Sequence, residues 1–316
     1  MDKKRKIDNN LLEYLRKMLN NPDISFKARP KRLTGGYETQ LFSFQLEGAP
    51  MKMSKPLVVR KTRNRREGTV MQYLTENGFP TPSVYYECFD PSILGETFII
   101  MDFVPGTTLL EYKRDVPRIM AETHLHLHRI DSRPLRKRLL SAGWEERSFT
   151  GLTWYEPYIH ENDVNWLKPA LKWINDNKPE TTPAICHVDL HPGNIMIKEG
   201  KVSGVLDWNQ HRIEDPCLDI ATIITVMSIY SPLFESQYRD SFSRKVAEKY
   251  LDFYREKSPV DAAKLEYFQA FKCLQMMVRY ERARREMGIE VFHAPGILEA
   301  IIERFKNITG IEPIAD

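Results

Sequence analysis

Residues 185–209, ICHVDLHPGNIMIKEGKVSGVLDWN, constrain the fold of this chain more than any other stretch. Asp189 is followed five residues later by Asn194 and thirteen residues after that by Asp207. A hairpin pattern separates the last two, with arms at 195–198 and 202–206 and a turn at Glu199-Gly200. A pair of this kind suits the tight turn that joins two antiparallel strands. The segment therefore reads as a strand, a loop and a hairpin that fold back on themselves and gather three polar side chains.

Two textures surround this block. The first third is rich in strand patterns: 32–45, broken by Gly35-Gly36, then 56–62, 84–89 and 97–103, the last ending at Pro105-Gly106. A helix with Glu67, Val70, Met71 and Leu74 on one face lies among them and stops at Asn77-Gly78. An opening helix carries Leu11, Leu12, Leu15, Met18 and Leu19 at helical spacing, with Asp8 or Asn9 as its N-cap and Asn20-Asn21-Pro22 as its stop. Beyond Gly106 the chain is mainly helical, and Phe268, Phe271, Leu274, Met277 and Val278 form a core-facing stripe. The expectation is a bilobal α+β fold: an antiparallel-sheet lobe over 1–104, a larger helical lobe over 105–316, and a ligand cleft.

Composition excludes several classes of function. With 316 residues, 42% of them hydrophobic, the chain has material for a sizeable core. Lys+Arg 46 against Asp+Glu 43 leaves +3, too balanced for charge alone to indicate a nucleic-acid partner. Cys88, Cys186, Cys217 and Cys273 are scattered without a CxxC pair or zinc-ligand spacing, as in a reduced, cytoplasmic protein. The basic start MDKKRKIDNN leads into an amphipathic segment instead of an apolar one, so no secretory signal is expected. Residues 217–234 are apolar over a membrane-span length but include Asp219 and several Ser/Thr, which favours a buried helix and no membrane partner.

Phosphoryl transfer from a nucleotide needs a carboxylate that orients the acceptor and hard oxygen ligands that hold Mg²⁺ against the phosphates. Asp189, Asn194 and Asp207 supply that set. The protein-kinase loop H-R-D-x-x-x-x-N and its later D-F-G have counterparts in His187-Val188-Asp189, Asn194 and Asp207-Trp208-Asn209. Any one of these residues could instead cap a turn or occupy a left-handed position. All three at this spacing point to chemistry.

HVDLHPGN from His187, VLDWN from Val205 and DPCLDIA from Asp215 resemble the signature of the aminoglycoside phosphotransferase and choline kinase-like superfamily. That family carries glycine where this chain has Val188, a departure expected to be tolerated because the position holds no ligand. LTGGYETQ from Leu33 resembles the family's phosphate loop, implying that Gly35, Gly36 and Thr39 approach the phosphates; the two glycines alone fit an ordinary hairpin equally well. In PLVVRKT, strand alternation sends Arg60 and Lys61 to opposite faces, and the family pattern selects Arg60 for the phosphates with Val58 over the adenine. Glu67 becomes the partner of Arg60, against the alternative of a solvated helix-start carboxylate.

The resemblance further implies a hinge in TFIIMDFVPG, with Met101 as gatekeeper and the backbones of Asp102 and Val104 contacting adenine. Leu206 joins the nucleotide side, and Asp219 braces the catalytic loop with His187 as a bonding partner. In the HLHLH run, His124 and His128 share a helix face while His126 does not; with no partner carboxylate evident, these read as packing residues.

The expected function is Mg²⁺-dependent transfer of the γ-phosphate of ATP or GTP to a small-molecule hydroxyl, with Asp189 at the acceptor, Asn194 and Asp207 on the metal and Arg60 on the α/β-phosphates. The acceptor stays open between an aminoglycoside or macrolide antibiotic and choline, homoserine or a sugar. A nucleotide-binding scaffold without activity is disfavoured because every chemically required position is filled. Residues 113–150 carry nine Lys/Arg against five Asp/Glu, and Arg279, Arg282, Arg284 and Arg285 follow later, which counts against a polycationic acceptor. Trp144, Trp154, Tyr155, Tyr158, Trp166 and Trp173 read mostly as core, with some available to line a pocket.

Overall fold

The computed structural model describes residues 3–33, 40–62, 66–145, 155–230, 243–287 and 296–313. Gly35, Gly36, Thr39 and Trp154 lie outside the described residues. The chain folds as two compact units, residues 1–107 with 196–209, and residues 108–195 with 210–316.

In the first unit, helix α1 (Lys3–Met18) precedes strands β1 (Ser25–Arg32), β2 (Leu41–Glu47) and β3 (Leu57–Lys61). Helix α2 (Glu67–Glu76) and strands β4 (Val84–Cys88) and β5 (Phe98–Asp102) follow. The sheet is antiparallel throughout, in the order β1-β2-β3-β5-β4. Val58 lies opposite Met101, and Val59 opposite Ile100. Because successive residues alternate faces, Leu57 and Val59 share one face with Phe44, Leu46, Phe98 and Ile100. Leu11 and Leu15 of α1 pack into that same core. The other face carries Val58, Arg60 and Met101, so α1 covers the side of the sheet away from Arg60.

Two features of this unit differ from the sequence reading. The helix begins at Lys3, so neither Asp8 nor Asn9 is a cap; Asp8 sits inside α1, buried, with a carboxylate oxygen 3.9 Å from Arg29. The first strand begins at Ser25, not near residue 32. Its sequence, SFKARPKR, is polar because β1 is an edge strand, and it tolerates Pro30 and two register shifts for the same reason.

The hairpin joins this unit. Ile195–Lys198 and Lys201–Val205 form its strands, and Glu199 (φ 53) and Gly200 (φ 75) make the turn between them. Ser203 Oγ donates to the Pro105 carbonyl at 2.9 Å. Gly106 has φ 129 and no space for a side chain, since a Cβ there would run into the Ile197 carbonyl oxygen. The segment after β5 therefore lies tightly on the hairpin.

The second unit is built from α3 (Val116–His128), α4 (Ser132–Ser141), α5 (Tyr155–Glu161), α6 (Lys168–Asp176), α7 (Cys217–Tyr230), α8 (Arg244–Arg255), α9 (Ala262–Met287) and α10 (Ile297–Thr309). Helix α9 packs against α7 and α10, and α3 against α8. The stripe Phe268, Phe271, Leu274, Met277 and Val278 is buried along α9. Among the described residues, no helix is long and apolar enough to cross a membrane. Strand Ala184–Cys186 pairs antiparallel with Arg212–Glu214, and the loop 187–194 leaves from its end.

Leu15 is fully buried beneath the sheet of the first unit. Leu15→Ala is expected to cost about 2–5 kcal/mol of stability through lost burial and the cavity left behind, read from urea unfolding midpoints.

Candidate active site

In the first unit a group of charged side chains gathers at the end of β3. Arg60 is buried, and its Nη2 lies 2.7 Å from Asp207 Oδ1 and 3.3 Å from Glu67 Oε1. Thr62 Oγ1 donates to Glu67 Oε2 at 3.1 Å, and the Trp208 amide also donates to this carboxylate. Glu67 is fully buried in the first turn of α2. Burial pushes its carboxyl above the ordinary range and Asp207 adds to the rise, while Arg60 pulls it down. Lys61, on the opposite face of β3, does not take part in this group.

Asp207 is held in place by its neighbours. Trp208 is fully buried, donates its indole N–H to the Val205 carbonyl at 3.0 Å and meets Phe79 edge to face at 5.6 Å. The Val205 amide donates to the Pro80 carbonyl at 2.8 Å, and Thr81 Oγ1 donates to the Val205 carbonyl at 3.1 Å. Asp207 itself has φ 64, an uncommon backbone region for a residue with a Cβ, and its side chain is 38% exposed. The carboxylate therefore reaches solvent while one of its oxygens bonds Arg60. Leu206 lies between the Val205 anchor and Asp207.

Val58 and Met101 face each other across β3 and β5 on the Arg60 side of the sheet. The Asp102 amide donates to the Ser83 carbonyl, and its carboxylate accepts from Tyr85 at 2.6 Å and Lys55 at 2.8 Å. The carboxylate is thus committed to structure on the other face. Val104 lies against Gly204, where an added Cβ would come within 2.8 Å of its Cγ1.

In the second unit, Asp189 follows strand Ala184–Cys186 in a loop fixed by a buried carboxylate. Asp219 accepts the amide of His187 at 2.9 Å on Oδ2 and the amide of Val188 at 2.6 Å on Oδ1. His187 is therefore bonded to Asp219 through its backbone; its imidazole Nδ1 accepts the Asp189 amide at 3.2 Å. Val188 has φ 66, so the residue that replaces the family's glycine sits in the left-handed region. The sequence reading, which judged the position by ligand contacts alone, missed this conformational demand. The Asp219 bonds hold the β-branched residue there.

The HLHLH run also differs from its sequence reading, because a partner carboxylate exists. His128 Nε2 is 3.0 Å from Asp219 Oδ2, and His124 Nε2 is 3.5 Å from it. Their Nδ1 atoms meet the hydroxyls of Tyr254 at 2.8 Å and Tyr250 at 2.6 Å, and the two rings stack at 5.2 Å. His128, Cys186 and Asp219 stand close enough to suggest a metal cluster. The amide and imidazole bonds account for Asp219 without one.

The remaining contacts of Asp189 were not legible as motifs. Asn194 Nδ2 donates to the Asp189 carbonyl at 2.9 Å, which leaves the amide oxygen outside that bond. Gln210 Nε2 donates to Asp189 Oδ2 at 3.3 Å. Gln210 stands one residue beyond the D-W-N string, and that closeness is the signal that could have found it. Each taken by itself, the Asn194 amide oxygen and the Asp207 carboxylate are hard oxygen donors, the kind that Mg²⁺ prefers.

Residues 30–257 match the phosphotransferase enzyme family. The chain belongs to this family. Its fold is also that of aminoglycoside phosphotransferases. A thermostable variant of APH(4)-Ia, in ternary complex with ADP and hygromycin B, superposes with a TM-score of 0.59 at 15% identity over 95% of this chain and 98% of that one. A GDP complex of an aminoglycoside 2′-phosphotransferase-IIIa variant gives 0.55 at 15% identity over 96% and 98%. By sequence, the chain is 26% identical over 209 residues to acyl-CoA dehydrogenase family member 11 of Gallus gallus, and 29% identical over 174 residues to its Homo sapiens counterpart. These matches cover 60% and 49% of this chain but 27% and 22% of those proteins, so the chain spans about a quarter of their length.

Burial pushes the His124 imidazole down to about 3, against the opposing pull of Asp219. Because this folded-state value lies below the ordinary one near 6.5, the contribution is whole above that pH and is lost as pH falls toward 3. Urea midpoints measured from pH 8 to pH 4 are expected to fall below pH 6.5 with a slope approaching about 1.4 kcal/mol per pH unit from this group. His124→Gln is expected to flatten that slope.

Proposed function

We propose that this member of the phosphotransferase family transfers the γ-phosphate of ATP or GTP to a hydroxyl of a small molecule, with Mg²⁺ as cofactor. The observation that carries the reading is the build of the 187–194 loop: Asp219 fixes its backbone, Asn194 bonds the Asp189 carbonyl, and Asp189 presents a carboxylate ahead of them. The Arg60–Glu67–Asp207 group supports the nucleotide side of the same reading.

Asp189 orients the acceptor hydroxyl and takes its proton late in the reaction. A bond forms between the acceptor oxygen and the γ-phosphorus, and the bond from that phosphorus to the β,γ-bridging oxygen breaks. The products are a phosphorylated acceptor and a nucleoside diphosphate. Asn194 and Asp207 are assigned to the metal, which when bound neutralises phosphate charge. Arg60, steadied by Glu67, holds the α/β-phosphates. Gly35, Gly36 and Thr39 are assigned to the phosphates, and Val58, Met101, Leu206 and the backbones of Asp102 and Val104 to the base. His187 and Asp219 act through the loop's conformation and do not touch substrate.

Relatives of this fold are seen with ADP and with GDP, which supports either purine nucleotide as donor. One of them holds hygromycin B, which keeps an antibiotic acceptor open beside choline, homoserine or a sugar. The dehydrogenase in the names of the sequence relatives is not assigned to this chain.

Asp189→Ala is expected to slow acceptor-dependent ADP release by at least about 100-fold, with Mg²⁺–nucleotide affinity kept within a few-fold. Turnover near the wild-type rate on a proven acceptor would remove the assignment. Asp207→Ala is expected to abolish the Mg²⁺ dependence of nucleotide affinity, measured by calorimetry with and without the metal.

A further inference from the structure

Among the described residues of the second unit, three basic side chains are linked to Asp189 through Gln210 or by charge: Arg279, Arg212 and Lys272. Arg279, exposed on α9, donates from Nη2 to Gln210 Oε1 at 2.5 Å, and Gln210 in turn donates to the Asp189 carboxylate. Arg279 thus reaches Asp189 through one neutral side chain. Arg212, half-buried, donates from Nη1 to the carbonyls of Gln210 at 3.1 Å and His211 at 2.7 Å. Lys272, 4% exposed, donates to Gln275 Oε1 at 2.7 Å. Gln275 bonds the Tyr155 hydroxyl, which also bonds Arg279. Among the described residues, all three cations are bonded to neutral oxygens. Burial and the neighbouring Arg279 push the Lys272 amine down to about 7, against the opposing pull of Asp189 and Asp219. The charge of Asp219 is already engaged by two backbone amides and His128.

We propose that the acceptor is a small hydroxylated oxyanion, a carboxylate or a phosphate ester, whose negative group is held by Arg279 and Arg212 while its hydroxyl lies at Asp189. The proposal rests on the reading of Asp189 as the acceptor-orienting carboxylate. A guanidinium fork matches the geometry of carboxylate and phosphate oxygens, and such charge-assisted bonds are stronger than those to the neutral carbonyls and amides now in place. A polycationic acceptor would instead meet like charge on Arg279 and Arg212. Gln210 sets the scale, because one amide group separates the Arg279 guanidinium from the Asp189 carboxylate. The acceptor's negative group and its hydroxyl are accordingly only a few bonds apart. Lys272 is too buried to be the contact.

The test is calorimetric titration of the full chain, with and without Mg²⁺–ADP. The probes are ω-hydroxycarboxylates of three to six carbons, their primary amides and the matching amino alcohols, with glycerol phosphate against glycerol as the phosphate arm. At least one anionic probe is expected to bind about tenfold or more tightly than its neutral and cationic counterparts. Preference in the first series assigns a carboxylate, and preference in the second a phosphate. Arg279→Gln is expected to collapse that ratio at least fivefold, and Arg279→Lys to retain part of it. Equal or tighter binding of the amide or amine, no binding of any anion at millimolar concentration, or an unchanged ratio in Arg279→Gln overturns the proposal. Binding is read without turnover, so this failure is separate from a failure of the kinase reading, which the Asp189→Ala assay reports.

Discussion

The buried carboxylate of Asp219 is the interaction on which the 187–194 loop depends. An ionised carboxylate away from water is costly unless its oxygens are bonded. Here both are: one accepts the Val188 amide, the other the His187 amide and the His128 imidazole. Burial raises this carboxyl, and the neighbouring His124 and His128, the latter through its hydrogen bond as well, outweigh that effect and hold Asp219 well below the usual carboxylate range. Two consecutive amides fixed by one side chain leave the backbone no freedom between strand Ala184–Cys186 and Asp189. That constraint explains how Val188 keeps φ 66, a conformation glycine would adopt without help.

A second left-handed residue marks the other end of the segment. Asp207, with φ 64, follows a backbone pinned at Val205 and precedes a Trp208 that is wholly buried. The two loops share a physical plan: a residue with a Cβ is kept in an unfavourable region by bonds made by its neighbours, and a carboxylate is presented as a result. Strain of about 1–3 kcal/mol at each position persists only when the surroundings over-determine it. In one loop Asp219 supplies that determination. In the other the Val205 bonds and the packing of Trp208 against Phe79 do so.

The parts of the site that were legible in sequence are those whose spacing is local. The hairpin followed from Glu199-Gly200, and the choice between Arg60 and Lys61 from strand alternation together with the family pattern. The polar edge strand β1 hid because it has little apolar face to declare. The start of α1 hid because Asp8, a plausible cap by type, lies inside the helix near Arg29. His128 and Asp219 are 91 residues apart, so the carboxylate partner of the HLHLH run existed only once α3 and α7 were placed. Lys272 lies among the apolar residues of α9 and belongs to no motif. Its meaning depends on Gln275 and Tyr155, one on its own helix and the other on α5.

The position of Gln210 between Arg279 and Asp189 has a chemical consequence. A guanidinium bonded directly to a carboxylate stabilises its charged form and makes it a weaker proton acceptor. An amide in between passes on geometry without passing on charge: its nitrogen donates to Asp189 while its oxygen accepts from Arg279. Asp189 is thereby oriented from one side by a side chain that carries no charge. Arg279, with its positive charge intact, stays available to a negative group on another molecule. Replacing the amide by an ion pair would merge the two functions and weaken both. On the reading proposed for Asp189 and Arg279, that separation of orienting from binding makes a glutamine, and not a second carboxylate or a cation, the chemically sensible residue at position 210.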